Sequence, residues 1–248
     1  MSLSNVTGDM SKPIYRYFAD QKWREYPRKI IVQRITQMKV IPDVLAHCDP
    51  TVDTKLYYGR KPIRAGDFLS SQVTVAPPTK LEVQMFERGQ KLVTIAVADP
   101  DVPNVEKDSF DSRIHYLAIN IPISAVSPEI VLSELSPETQ VVLPWLPPVV
   151  QKGDNYHRLS VFIMEQKDGQ PLDFAAAKAR ETSREARLRV IQRRYHLNPI
   201  GAHLFRSQWD ETTFNVMKEI GFEGADMELY AKKIDPLPYK RRTTRRMR

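Results

Sequence analysis

The stretch Leu92-Val93-Thr94-Ile95-Ala96-Val97-Ala98-Asp99-Pro100-Asp101-Val102-Pro103 decides how this chain is read. Its apolar first half reads as a buried strand. Two prolines, which have no backbone N–H to give to a ladder, then predict that the strand stops and that Asp99 and Asp101 sit on a stiff turn. After a short polar loop, Ile114-His115-Tyr116-Leu117-Ala118-Ile119-Asn120-Ile121-Pro122 reads as a second strand with an imidazole near its start. Further on, Asn155-Tyr156-His157-Arg158 leads into a third apolar run, Leu159 to Met164. Two strand-mouth histidines and a diacidic turn are thereby placed to share one pocket.

Working outward, short alternating runs appear at Lys55 to Tyr58, Ser71 to Val75 and Leu81 to Met85, punctuated by Gly59 and by Pro77-Pro78. With the strands at Leu92, Ile114 and Leu159 they make at least six. No helix between them is long enough to demand parallel βαβ units, so the fold class is α+β, mainly β, with largely antiparallel sheets in two layers. Peripheral helices are expected toward the C-terminus. Phe174 to Tyr195 reads as one helix with an apolar stripe at Leu188, Ile191 and Tyr195. Asp210 and Glu211 open another, carrying Phe214, Met217 and Ile220 before Gly221. Between the strands at Ile114 and Leu159, residues 127–153 are rich in proline and hold Trp145, which either covers a sheet face or plugs the pocket.

The chain has 248 residues, 42% hydrophobic and 27% charged, which is ordinary for a globular protein. Cys48 is its one cysteine, so no intrachain disulfide forms; a reducing compartment or burial in a complex fits this better than secretion. The longest candidate for a membrane span, residues 140–151, is broken by Pro144, Pro147 and Pro148, so no span is expected. Residues 1–5 show neither a hydrophobic signal core nor an arginine-rich presequence.

A net charge of +7 points to a polyanionic partner, and its distribution says more than its total. Residues 99–140 hold eight acids against Lys107 and Arg113, and this acidic part is expected to face protein. Positive charge collects in three other places. The first is an N-terminal arm and helix, residues 1–39, with Arg16, Lys22, Arg24, Arg28, Lys29 and Arg34; Pro27 suits the first helical position, and Ile31, Ile35 and Met38 form the packing stripe. The second is the expected helix at 174–195, with Arg180, Arg184, Arg187, Arg193 and Arg194, where Glu181 and Glu185 offset Arg184 or Arg189 at helical spacing. The third is the tail, residues 231–248, with Lys240, Arg241, Arg242, Arg245, Arg246 and Arg248 and no acid after Asp235. Such runs suit RNA phosphates, though a basic tail alone is also compatible with a nuclear address or an anionic membrane surface. The main domain is expected at residues 40–230.

The Asp99-Pro100-Asp101-Val102-Pro103 turn, the strand-borne His115 and the later His157-Arg158 pair resemble the phosphatidylethanolamine-binding protein family, from about Val40 to Phe222. The resemblance implies that Asp99, Asp101, Pro103, His115, His157 and Arg158 occupy the family's anion-pocket positions, with Phe205 where a tyrosine is frequent. Arg113 replaces a usual tryptophan, and Asn155 or Tyr156 replaces an expected glycine, so the pocket reads as vestigial. Trp23 to Lys29, Val40 to Leu45 and Asp49 to Asp53 further resemble the branch of this family found in the mitochondrial large ribosomal subunit.

Three functions follow as expectations. An enzyme would use Asp99, Asp101, His115 and His157 as an acid–base or metal cluster, but no local ligand spacing or nucleophile with a partner supports it. A small-ligand module would take a phosphate or phospholipid head group at His115, His157 and Arg158. The expectation adopted is a non-catalytic structural constituent of the mitochondrial large ribosomal subunit, in the matrix. It has no cofactor and no metal, contacts rRNA and neighbouring ribosomal proteins, and by resemblance sits at the central protuberance.

Overall fold

The computed structural model describes residues 8–222 and 224–230. Two helices open it, α1 (Pro13–Glu25) and α2 (Pro27–Gln37), each with proline in the first turn, where its missing N–H costs no hydrogen bond. Trp23 is buried and packs on Phe86 with ring centroids 5.2 Å apart. Ile35 is the buried residue of α2, flanked by Ile31 and Met38, so the expected stripe faces the core. A helical turn, α3 (Val40–Asp43), leads to the sheets.

Nine strands follow among the described residues. β1 (Asp53–Tyr57), β3 (Lys80–Gln84) and β6 (Glu129–Ile130) make a small antiparallel sheet. The larger sheet has the order β2 (Phe68–Leu69), β9 (Asn198–Ser207), β8 (His157–Glu165), β4 (Gln90–Asn104), β5 (Ser109–Ser124), β7 (Val141–Leu143). All its pairings are antiparallel except the short one between β2 and β9. On β4, Val93, Ile95 and Val97 face the small sheet, and Ala96 and Ala98 face the helices. Both faces are covered, which is why this run is almost continuously apolar.

The outer face of the large sheet is covered by α2, α3, α5 (Phe174–Arg180) and α6 (Leu188–Arg194), through Ile35, Val40, Ala177, Leu188 and Ile191. A last helix, α7 (Thr213–Glu219), buries Val216 and Met217 near Val149. Gly221 follows it with φ +67, as its closing role requires.

Four expectations are corrected. The prolines do not end β4: the register steps from Asp99↔Arg113 to Val102↔Asp111, so a bulge absorbs the extra residue and pairing resumes to Asn104. Residues 71–75 are not a strand but contain α4 (Ser71–Thr74), because Asp210 accepts from the Ser71 backbone N (2.7 Å) and hydroxyl, and Thr74 bonds back to the Ser70 and Ser71 carbonyls. The single helix at 174–195 is two. Between them Arg184 docks on β5, its carbonyl accepting from Ile114 N at 2.8 Å and its guanidinium reaching the carbonyls of Ile114, His115 and Pro144. Glu181 consequently pairs with Arg194 rather than with a residue one turn away.

Candidate functional site

The bulges aim the site. From Val97↔Tyr116 to Ala98↔Ile114 the register gives β5 one extra residue, and that residue is His115. Asp99 stands opposite Arg113 on β4, and His157 opens β8, two positions from Leu159 and therefore on the same, inner face. Asp99, His115 and His157 are 2%, 1% and 3% exposed.

Both nitrogens of His157 are engaged by carboxylates, Nδ1 at 2.7 Å from Asp99 Oδ2 and Nε2 at 3.1 Å from Asp154 Oδ2. Burial pushes the His157 pKa down, but the Asp99 charge and the hydrogen bonds of Asp154 and Asp99 outweigh it and lift it to about 9. The ring is thus protonated at neutral pH and donates from both nitrogens. Burial likewise raises Asp99, yet the two imidazoles hold its carboxyl well below the usual range. His115 Nδ1 donates to the Leu146 carbonyl at 2.8 Å; its Nε2 is buried 3.7 Å from Asp99 Oδ2, with no hydrogen-bond partner among the described residues.

Arg158 forms a second ion-paired knot. Its Nε and Nη2 grip Asp101 at 2.8 and 2.6 Å, its Nη1 donates to Asp43 at 2.8 Å and to the Met38 carbonyl at 2.7 Å, and its backbone N also donates to Asp101. The hydrogen bonds to Asp101, together with those to Asp43, raise its pKa further. Asp101 N donates to Asp99 Oδ1 at 2.9 Å, which joins the two knots. Pro103 stands opposite Phe110 in the hairpin stem.

A cavity of about 330 Å³ opens here, with Asp154, His157 and Arg158 in its wall and the exposed Phe110 and Tyr156 at its edge. Tyr156 and Phe68 flank the Arg206 guanidinium, at 5.1 and 3.8 Å from the ring centroids. Phe205 does not reach this cavity: it is fully buried between the sheets, edge-on to Tyr58. Trp145 donates from its indole to the Thr74 carbonyl at 3.0 Å and packs near Tyr116, so it covers the inter-sheet core. Sequence reasoning missed Asp43, Asp154 and Arg206. Asp154, three residues before His157, was the one with a local signal.

Chemically, the knots are closed. The His157 donors and most Arg158 donors already serve the protein's own carboxylates, leaving an incoming anion little to bond and several negative charges to meet. No serine or cysteine lies among the groups that hold these histidines.

The basic residues separate into two sets. Arg16 donates to the Met10 and Ser11 carbonyls, Arg24 pairs with Asp20, Arg28 with Asp49 and Arg194 with Glu181, and Arg184 is turned inward. Lys22, Lys29, Arg34, Arg180, Arg187 and Arg193 are exposed and in no ion pair among the described residues. Lys240, Arg241, Arg242, Arg245, Arg246 and Arg248 lie outside the described residues. The acids of residues 99–140 do not share one face: Asp99 and Asp101 turn into the knots, Asp111 bonds Asn104 in the β4–β5 hairpin, and Glu129 pairs with Lys80 on the small sheet.

Two sheets packed face to face, with helices on the outer side and His–Asp and Arg–Asp pairs at the strand mouths, define a two-layer β-sandwich. The family model described as phosphatidylethanolamine-binding protein matches residues 58–201, more than half of the chain, and the chain belongs to that family. The phosphatidylethanolamine-binding proteins of Plasmodium vivax and Plasmodium falciparum superimpose with TM-scores of 0.55 and 0.54, each at 17% identity, over 72% and 71% of this chain and 97% and 96% of theirs. At such identity they show the fold alone. The large ribosomal subunit protein mL38 of Schizosaccharomyces pombe is 32% identical over 206 residues, which is 82% of this chain and 64% of that protein. The chain thus spans less than two thirds of this relative's length.

Proposed function

We propose that this chain is a non-catalytic structural constituent of the mitochondrial large ribosomal subunit, contacting rRNA and neighbouring ribosomal proteins at the central protuberance. The observation that carries the reading is the closure of the family pocket: His157 lies between Asp99 and Asp154, and Arg158 between Asp101 and Asp43. A pocket whose cations serve internal carboxylates works as a fastener of strand ends and leaves function to the outer surface. The name of the S. pombe relative supports a ribosomal placement, and the exposed basic residues on α2 and α6 support RNA as the polyanion. No helix among the described residues is long and apolar enough to cross a membrane.

The test is sedimentation of the tagged full chain from mitochondrial lysate at low and high salt, with the large-subunit rRNA followed in every fraction. Co-migration with that rRNA is expected at low salt and should fall as salt rises, because phosphate contacts release counterions, whereas retention at high salt would mean a protein-dominated interface. Migration as a free chain at low salt overturns the reading. The remaining cavity of about 330 Å³ favours one alternative, a module for phosphate or phospholipid head groups. Calorimetry with inorganic phosphate decides it, and binding by the unmodified chain would revive it.

A further inference from the structure

Helices α2 and α6 come from two basic stretches far apart in the sequence, yet they dock on the same face of the large sheet. Ile35 of α2 and Leu188 and Ile191 of α6 belong to one buried cluster. With their apolar stripes inward, both helices turn cations and amides to solvent. The segment 46–51 runs between them, and two arginines hold the neighbouring backbone. Arg28 pairs with the Asp49 carboxylate and donates from Nε to the Pro50 carbonyl at 2.9 Å, while Arg189 donates to the Pro42 carbonyl.

Two clefts result, of about 540 and 860 Å³, which adjoin at His47 and Asp49. Lys29 and Gln33 stand in the first, and Gln192, Arg193 and His196 in the second. Lys29, His47, Arg193 and His196 are exposed. Among the described residues Asp49 is the one carboxylate in either wall, and Arg28 holds it. Among the described residues neither wall contains a phenylalanine, tyrosine or tryptophan.

We infer that these adjoining clefts form one binding track for an RNA backbone, with Lys29 and Arg193 as phosphate contacts at its two ends and His47, Gln33 and Gln192 bonding phosphate or ribose hydroxyls between them. The inference rests on the RNA-contacting reading above and localises it. Val32, Ile35, Ile41 and Leu197 give these walls aliphatic groups, but among the described residues they hold no aromatic ring of the kind that anchors the centre of a protein interface. A phosphate–ribose chain needs cations and hydrogen-bonding groups repeated along a path, which is what the two clefts supply.

The test is titration of the full chain with a fluorescent transcript of structured large-subunit rRNA over a salt series. The Lys29→Gln/Arg193→Gln pair is compared with Arg60→Gln/Lys61→Gln, exposed cations in the turn after β1. Each lost phosphate contact lowers the slope of log affinity against log salt by roughly 0.7–0.9, so the cleft pair is expected to lose about twice that and the control pair none. Equal losses from both pairs, or an unchanged slope in the cleft pair, overturn the track. Displacement of the RNA by polyglutamate at equal charge concentration, undiminished in the cleft pair, would also overturn it in favour of general electrostatics. The two readings fail separately. A chain absent from the large subunit whose cleft pair still governs RNA binding refutes the ribosomal role alone, and a ribosomal chain indifferent to the cleft pair refutes the track alone.

Discussion

Asp154 holds the outer nitrogen of His157, with Oδ2 3.1 Å from Nε2, on the side of the ring that lines the cavity. The carboxylate stands where an external anion would approach the protonated ring. Asp154→Ala is therefore expected to convert a silent site into a weak phosphate receptor. Calorimetry with inorganic phosphate should give no heat with the unmodified chain and millimolar binding with the variant. Equal silence in both would mean that Asp154 is not what closes the site.

Stability should fall on both sides of neutrality. The His157 pKa is raised to about 9 against an ordinary ~6.5, so its contribution is complete below ~6.5 and lost as pH rises through about 9. Burial holds His203 down to about 4; its contribution is complete above ~6.5 and lost as pH falls through about 4. Asp99, held below its usual range, adds to the acid loss. Urea midpoints across this range should peak near pH ~6.5, and His157→Asn should flatten the alkaline limb and weaken the Asp99 part of the acid one while sparing the part due to His203. An alkaline limb unchanged by that substitution would refute the assignment.

The strands at Leu92, Ile114 and Leu159 were legible because burial on both faces leaves an apolar run that little else explains. The meeting of Asp99, His115 and His157 was legible too, through strand-mouth position and family resemblance. What failed were places where tertiary bonds overrule local propensity. Val73 and Val75 favour a strand, but Asp210, distant in sequence, supplies the bonds that fold Ser71–Thr74 into a helical turn. Phe174 to Tyr195 favours one helix, but the edge of β5 takes Arg184 out of it. Asp43 could not be assigned to Arg158 by spacing, because 115 positions in the sequence, with β1 to β7 among them, separate the two.

Arg158 ties α3 to the strand mouth, since one guanidinium joins Asp101, Asp43 and the Met38 carbonyl. Arg158→Ala leaves Asp101 without its bidentate partner and should cost ~1–3 kcal/mol, less than breaking a fully buried pair because Arg158 and Asp101 are part-buried and Asp43 is exposed. Lysine offers a point charge in place of a planar fork, so Arg158→Lys should recover less than half of that loss. Urea unfolding measures both, and hydrogen exchange should show faster opening around residues 38–43. Full rescue by lysine would reduce the knot to simple charge pairing.

Gly153 links this site to the end of the described chain. Its φ is +88, and a Cβ there would lie 1.8 Å from the Leu229 carbonyl oxygen, so two independent constraints require glycine. Leu229 N donates to the Lys152 carbonyl at 2.8 Å and Lys152 pairs with Glu228 at 3.1 Å, which latches this segment onto the loop carrying Asp154. Gly153→Ala should cost ~1–3 kcal/mol in backbone strain and either displace the latch or move Asp154. Both changes have direct readouts in nuclear magnetic resonance: loss of exchange protection at the Leu229 amide, and a fall of the His157 pKa from about 9 as the Asp154 bond is lost. A variant that loses the Leu229 protection but keeps the raised His157 pKa would show that the latch and the ion-paired knot are independent, and one that keeps both signals would refute the strain predicted at Gly153.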